Sequence, residues 1–188
     1  MPSEKQDLRV IRTHALIKNA LIDLLKNQEF EKISVQDIVE KAMVNRATFY
    51  KYYSGKSDLA GVMIDELKKD YAELLLQKEQ TRNMNDFIQH VLPAFHQKRQ
   101  LILALWKIKT KRHHLWDDMF LMIKNNYIRQ QQSLFVHQGL DFQGEILAAM
   151  LLKTAQYYFE QDLPIPIKQV WQEIAIVLKV VQQASPDK

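Results

Sequence analysis

Apolar and polar residues alternate along this chain with the period of helices almost from end to end. Between Arg12 and Gln28, the residues Ile17, Ala20, Leu21, Leu24 and Leu25 recur at i, i+3, i+4, i+7 and i+8. Lys18, Asn19 and Asp23 fall off that stripe, so the segment predicts an amphipathic helix. After a polar link from Asn27 to Lys32, Ser34 can cap a second helix, with Asp37 three positions on in the manner of a capping box. Val35, Ile38, Val39 and Ala42 supply its inner face, and Asn45 marks the next cap before a third short helix, Arg46 to Tyr53. Two helices of about two turns joined by a tight turn have helix-turn-helix geometry. Short adjacent helices also occur in proteins that bind nothing, so spacing alone leaves both readings open.

Beyond Ser54-Gly55-Lys56, a long helix is predicted from Ser57 or Asp58 to about Lys78, with Leu59, Val62, Met63, Leu67, Tyr71, Leu74 and Leu75 on its apolar side. Thr81 to Asn85 is a polar break. Asp86 to Ile108 is helical in pattern but holds Pro93, which removes a hydrogen bond and predicts a kink or split. Lys107 to His114 reads as a basic loop. Leu115–Ser133 and Phe142–Gln161 are two further helices, separated near Gly139. Leu163-Pro164-Ile165-Pro166 is a stiff connector into a last helix, Ile167 to Gln183. No strand pair or internal repeat is legible. The predicted class is all-α: an N-terminal three-helix helix-turn-helix domain, residues 1–56, joined to a larger helical domain, residues 57–188.

Composition sharpens this picture. Four glycines and five prolines in 188 residues are too few turn-formers for a protein of many short strands. The absence of cysteine excludes disulfides, thiolate catalysis, iron–sulfur clusters and thiolate zinc sites. Met1 to Arg12 is polar and charged, with no apolar core for a signal peptide, and no run approaches a membrane span, so a cytoplasmic protein with no membrane partner is the expectation. The formal charge is +4. Residues 1–56 hold ten Lys/Arg against seven Asp/Glu, so most of the excess lies in the first third, as suits a part that meets a polyanion.

The run from Ile33 to Leu59 resembles the N-terminal region of the TetR family of regulators. The resemblance rests on Ile33-Ser34 leading into the second helix, on Thr48-Phe49-Tyr50 in the third, and on Tyr52-Tyr53 followed by Lys56 and Leu59. It extends over about residues 9–65. Many family members place glycine where Met43 stands here, a departure that touches the geometry of the turn. The resemblance implies a dimeric, sequence-specific repressor of transcription relieved by a small molecule. It also implies that Tyr50, Tyr52 and Lys56, with Ser34 and Gln36 at the start of the second helix, hold the phosphate backbone.

The residues support that reading directly. At 100° per residue, Phe49 and Tyr53 fall on one side of the third helix, and Ala47, Thr48, Tyr50 and Lys51 largely on the other. Asn45 and Arg46 stand at its N-terminal end, where recognition helices approach base edges. The Arg46 fork suits guanine O6 and N7, and Thr48 could touch a thymine methyl; Arg46 could equally meet a phosphate. For Tyr52 the competing role is packing on the first helix. Double-stranded DNA carrying a palindromic operator is the expected partner. A second copy of the chain, paired through residues 142–161 and 167–183, is the other.

In the larger domain Trp106, Trp116, Met119, Phe120, Met122 and Tyr127 are candidates to line an effector cavity, although such a stripe also makes plain core. His113 and His114, four residues before Asp117 and Asp118, share a helical face but lack a third ligand, so a charged helix start is expected and no metal or other cofactor. His90 and His96 do not share a face. No Ser/His/Asp order, phosphate-binding glycine loop or carboxylate pair is legible, and no enzyme is expected. The competing function is a protein-interaction or activator module that keeps the fold and answers to a partner protein.

Overall fold

The computed structural model describes residues 3–80, 92–132 and 139–184, and within them every regular element is helical. The helices are α1 (Ser3–Asn27), α2 (Val35–Ala42), α3 (Arg46–Tyr52), α4 (Lys56–Gln80), α5 (Leu92–Gln97), α6 (Arg99–Trp106), α7 (Leu115–Gln132), α8 (Leu140–Glu160) and α9 (Ile167–Ala184), with a single 3-10 turn, Phe30–Lys32, between α1 and α2. The all-α expectation holds.

α1 is helical from Ser3, the first described residue, nine residues ahead of the start predicted at Arg12. The added turns leave Leu8 and Ile11 exposed, so no buried face marked them in the sequence. From Ile17 onward the stripe is buried: Ile17, Leu21 and Leu25 are fully enclosed against α2 and α6.

The α2 start is a complete capping box. The Asp37 amide donates to Ser34 Oγ at 3.1 Å, and the Ser34 amide donates to Asp37 Oδ2 at 2.7 Å. Its end is a left-handed turn at Met43, φ 52° and ψ 42°, with the Val44 amide reaching back to the Val39 carbonyl at 3.1 Å. The methionine does occupy a conformation that favours glycine. Its side chain is 88% exposed and packs against nothing that would offset the strain.

Among the described residues a break falls at Lys98, between α5 and α6. The predicted polar break at Thr81–Asn85, and residues 86–91 of the helix that follows it, lie outside the described residues. α7 and α8 pack closely: a Cβ at Gly144 would come within 3.0 Å of Lys124, whose ammonium instead pairs with Asp141 and Glu145. Asp162, at φ 59°, ends α8 in another left-handed turn, closed by the Leu163 amide on the Tyr158 carbonyl at 2.9 Å.

A single buried cluster runs from Ile17 on α1 through Leu59, Met63 and Leu67 on α4 and Ile102 and Leu105 on α6 to Phe159 on α8. α6 is central to it, packed against α1, α4, α7 and α8. The described side chains of α9 contribute nothing to this core. Trp171, Ile176, Val177, Leu178 and Val180 are all exposed on it.

Candidate nucleic-acid interface

α3 is short, and its orientation is fixed from one side. Phe49 is fully buried and Tyr53, just past the helix, nearly so. Their rings lie 5.7 Å apart. The opposite side of the helix faces outward: Asn45, Arg46, Ala47, Tyr50 and Lys51 are exposed, and Thr48 is half-buried between the two faces. The helical projection made from the sequence is therefore the arrangement found.

The polar groups of this outer face are differently engaged. Asn45 caps α3, its Oδ1 accepting from the Ala47 amide at 2.8 Å, which leaves the side-chain NH2 outward. The Arg46 guanidinium donates to the Tyr50 hydroxyl at 3.4 Å and lies 5.5 Å from that ring, one turn on. Lys51 sits 5.5 Å from the Tyr52 ring. Neither cation forms an ion pair with a carboxylate among the described residues. Two unneutralised charges thus project from a two-turn helix.

Tyr52 is half-buried, its ring 4.5 Å from that of His14 on α1. The packing role on the first helix is the one found. Ser34 spends its hydroxyl within the capping box, where it also meets Asp37 Oδ2 at 2.7 Å. The cap holds the Asp37 carboxyl below its usual range, because both the Ser34 amide and hydroxyl donate to it. Gln36 is exposed and donates to Glu40 at 2.7 Å.

Lys56 is placed apart from these. Its ammonium donates to three backbone carbonyls, those of Phe30, Glu31 and Ile33, at 2.8, 2.9 and 2.6 Å, and lies 5.0 Å from the Phe30 ring. All three ammonium protons have acceptors inside the protein. The lysine ties the first turn of α4 to the link between α1 and α2, a role the sequence did not signal because it depends on a contact across some 25 residues.

The six residues expected around one cavity are divided. Trp106 and Met119 are buried against each other, the indole N–H donating to Met119 Sδ at 3.3 Å. Trp106 meets Trp116 edge to face at 4.7 Å, and both reach the wall of an open groove of about 1270 Å³ between the end of α1, the α6–α7 link and α8. Lys153 lies over the Trp116 ring. Met122 borders a separate recess of about 420 Å³ with Leu75 and Leu76, and Phe120 packs against the core. Tyr127 donates to Gln143 at 2.7 Å and so links α7 to α8. His113 and His114 diverge: His114 Nδ1 is 3.2 Å from Asp118, while His113 turns to Ser57. No group of three metal-binding side chains occurs among the described residues, and none of their helices is long and apolar enough to cross a membrane.

Residues 17–63, which span α1 from Ile17 through α2 and α3 to Met63, match the model of the tetR family of bacterial regulatory proteins. This helix-turn-helix stretch, a quarter of the chain, is similar to that of the TetR family. Over 94% of its length the chain is 26% identical to YxbF, an uncharacterized HTH-type transcriptional regulator of Bacillus subtilis. It spans about half the length of that relative, the match covering 47% of it. Over 35% of its length it is 34% identical to DhaS of Lactococcus lactis, an HTH-type transcriptional activator of the dhaKLM operon, covering 33% of that protein. The TetR fold is matched by the crystal structure of a TetR transcriptional regulator from Streptococcus agalactiae, at a TM-score of 0.61 and 22% identity, covering 89% of this chain and 94% of the other.

Proposed function

We propose that this TetR-family chain is a sequence-specific DNA-binding regulator of transcription that works as a homodimer, most simply as a repressor relieved by a small molecule. The observation that carries the reading is the face of α3. Its inner aromatics are locked in the core while Arg46, Ala47, Tyr50 and Lys51 face outward, with both cations free of carboxylates among the described residues. In this reading residues 1–56 are the DNA-binding part. Asn45, Arg46 and Thr48 meet base edges, whereas Tyr50, Lys51, Tyr52, Ser34 and Gln36 hold phosphate. Ala47 allows close approach. No catalytic activity is assigned, and the cytoplasm is the compartment that suits the function.

Residues 57–188 carry pairing and regulation. The exposed apolar row on α9, with Phe142, Ile146 and Tyr157 on α8, suits a second copy of the chain, and a two-fold pair of heads suits a palindrome. The groove walled by Trp106 and Trp116 is the candidate place for an effector. The similarity to DhaS, named as an activator, favours activation as the second reading of the sign of control.

Selection of bound fragments from random duplex DNA by the purified protein tests the central claim. Enrichment of a palindrome with two half-sites supports it, and recovery of no preferred sequence at low salt overturns it. Sedimentation at micromolar concentration tests the pairing, which a strictly monomeric mass refutes.

A further inference from the structure

Four cations, Lys107, Lys109, Lys111 and Arg112, fall within six residues of the turn between α6 and α7, and no acid occurs between Arg99 and Trp116. The turn has a fixed shape. The Thr110 amide donates to the His113 carbonyl at 2.9 Å, and the His113 amide donates to Thr110 Oγ1 at 2.9 Å, so Lys111 and Arg112 form a two-residue crest. Ile108 and His113 are buried, while Lys109, Lys111 and Arg112 are exposed. Lys107 spends its ammonium on the Leu25 and Lys26 carbonyls, both at 2.9 Å. The other three cations form no ion pair among the described residues. Glu29 is held by Lys32 and Asp118 by Lys68, so neither offsets the crest. Asp117, exposed at the start of α7, offsets at most one of the charges.

The place of the crest gives this charge a partner. His113 Nε2 lies 2.9 Å from Ser57 Oγ in the first turn of α4. Beside Ser57, Lys56 reaches the carbonyl of Ile33, the neighbour of Ser34. The basic turn therefore adjoins the link that leads into Ser34 and Gln36, the residues assigned above to phosphate. A cation that meets a phosphate releases a condensed counterion, and these three have no internal partner to leave. We propose that Lys109, Lys111 and Arg112 hold the sugar–phosphate backbone of duplex DNA flanking the bases that α3 reads. The proposal rests on the DNA-binding reading above and adds a sequence-independent contact from the larger helical part. Charge alone would suit an acidic protein equally; the position beside the phosphate-holding end of α2 favours the duplex.

Two duplexes that share one selected palindrome separate the flank from the site. One ends at the outer bases of the palindrome, and the other continues for about ten base pairs, one helical turn, on each side. On each, the slope of log affinity against log salt is measured for the unaltered chain and for the triple variant Lys109→Gln, Lys111→Gln and Arg112→Gln. Each phosphate neutralised adds about 0.9 to that slope, so the variant should lose about two or more on the longer duplex across two heads. On the shorter duplex it should match the unaltered chain. Arg112→Lys, which keeps the charge, should keep the slope on both. Unchanged slopes on the longer duplex overturn the proposal and leave the charge to an acidic protein. An equal fall on both duplexes marks a loss of general charge and overturns it too, as does a fall in Arg112→Lys as large as the triple variant's. An unaltered chain that selects no duplex ends the DNA-binding reading and the flank contact together. One that selects a palindrome, with the variant unaffected by the flanks, ends the flank contact alone.

Discussion

Nδ1 of His14, midway along α1, lies 2.7 Å from the phenolic oxygen of Tyr53, and the two rings meet edge to face at 5.5 Å. Burial pushes the Tyr53 hydroxyl up to about 12, with Glu66 and Asp58 adding to the effect. The phenol therefore keeps its proton over the neutral range, and which partner donates in this bond is set by the imidazole tautomer. The bond fixes the end of α3 to α1, and with it the direction of the outer face.

Tyr53→Phe should cost about 1 kcal/mol of unfolding free energy, the ordinary worth of a neutral hydrogen bond. His14→Ala should be less than additive with it, measured in urea. The alkaline limb provides a second reading. Between pH 10 and 12 an unfolded chain ionises this tyrosine while the native state keeps it neutral, so stability falls as pH rises through that window. Buried Tyr71, also pushed upward, contributes in the same direction. Tyr53→Phe should flatten part of the fall.

Lys56→Ala removes the donor from three carbonyls at the link between α1 and α2. A loss of about 1–3 kcal/mol in stability is expected, from groups left without their charged partner. By resemblance alone this lysine would be a phosphate contact, and its removal would lower the slope of log affinity against log salt by about one per head. With its three protons directed inward, the slope should stay nearly unchanged. A salt series on Lys56→Ala, beside its urea midpoint, separates the two.

Arg46→Ala should weaken a selected site by about 1–3 kcal/mol and relax preference at one base pair per half-site. Tyr50→Phe should weaken all sequences alike and leave the salt slope nearly untouched, because it removes a neutral donor. It also takes away the hydroxyl that receives the Arg46 guanidinium. Binding to selected and scrambled duplexes measures both. Arg46→Ala leaving affinity and preference intact would remove Arg46 from the reading face.

Met43→Gly should raise stability by up to about 1 kcal/mol, since the left-handed backbone penalises a Cβ and the exposed side chain gives up no packing. A denaturant titration at neutral pH checks the sign. Destabilisation would mean that glycine's freedom in the unfolded chain outweighs the relief of strain.

Much of the head was written in local pattern. The Ser34–Asp37 cap, the Asn45 cap and the split of α3 into an inner Phe49 and an outer Arg46, Tyr50 and Lys51 follow from spacing, because helix period and capping depend on neighbours three or four residues away. The all-α class followed from the same periodicity. What depended on distant partners was not legible. Lys56 looked like a surface cation until three carbonyls from residues 30–33 came within its reach. Trp106, Trp116, Met119, Phe120 and Met122 formed one stripe in sequence, yet packing sends them to core, groove and a separate recess. His113 read as part of a charged helix start, and only the approach of Gly61 and Ser57 on α4 gives it a place. Helical period tells which side of a segment is apolar; which helix covers that side is settled by packing among segments far apart in the chain.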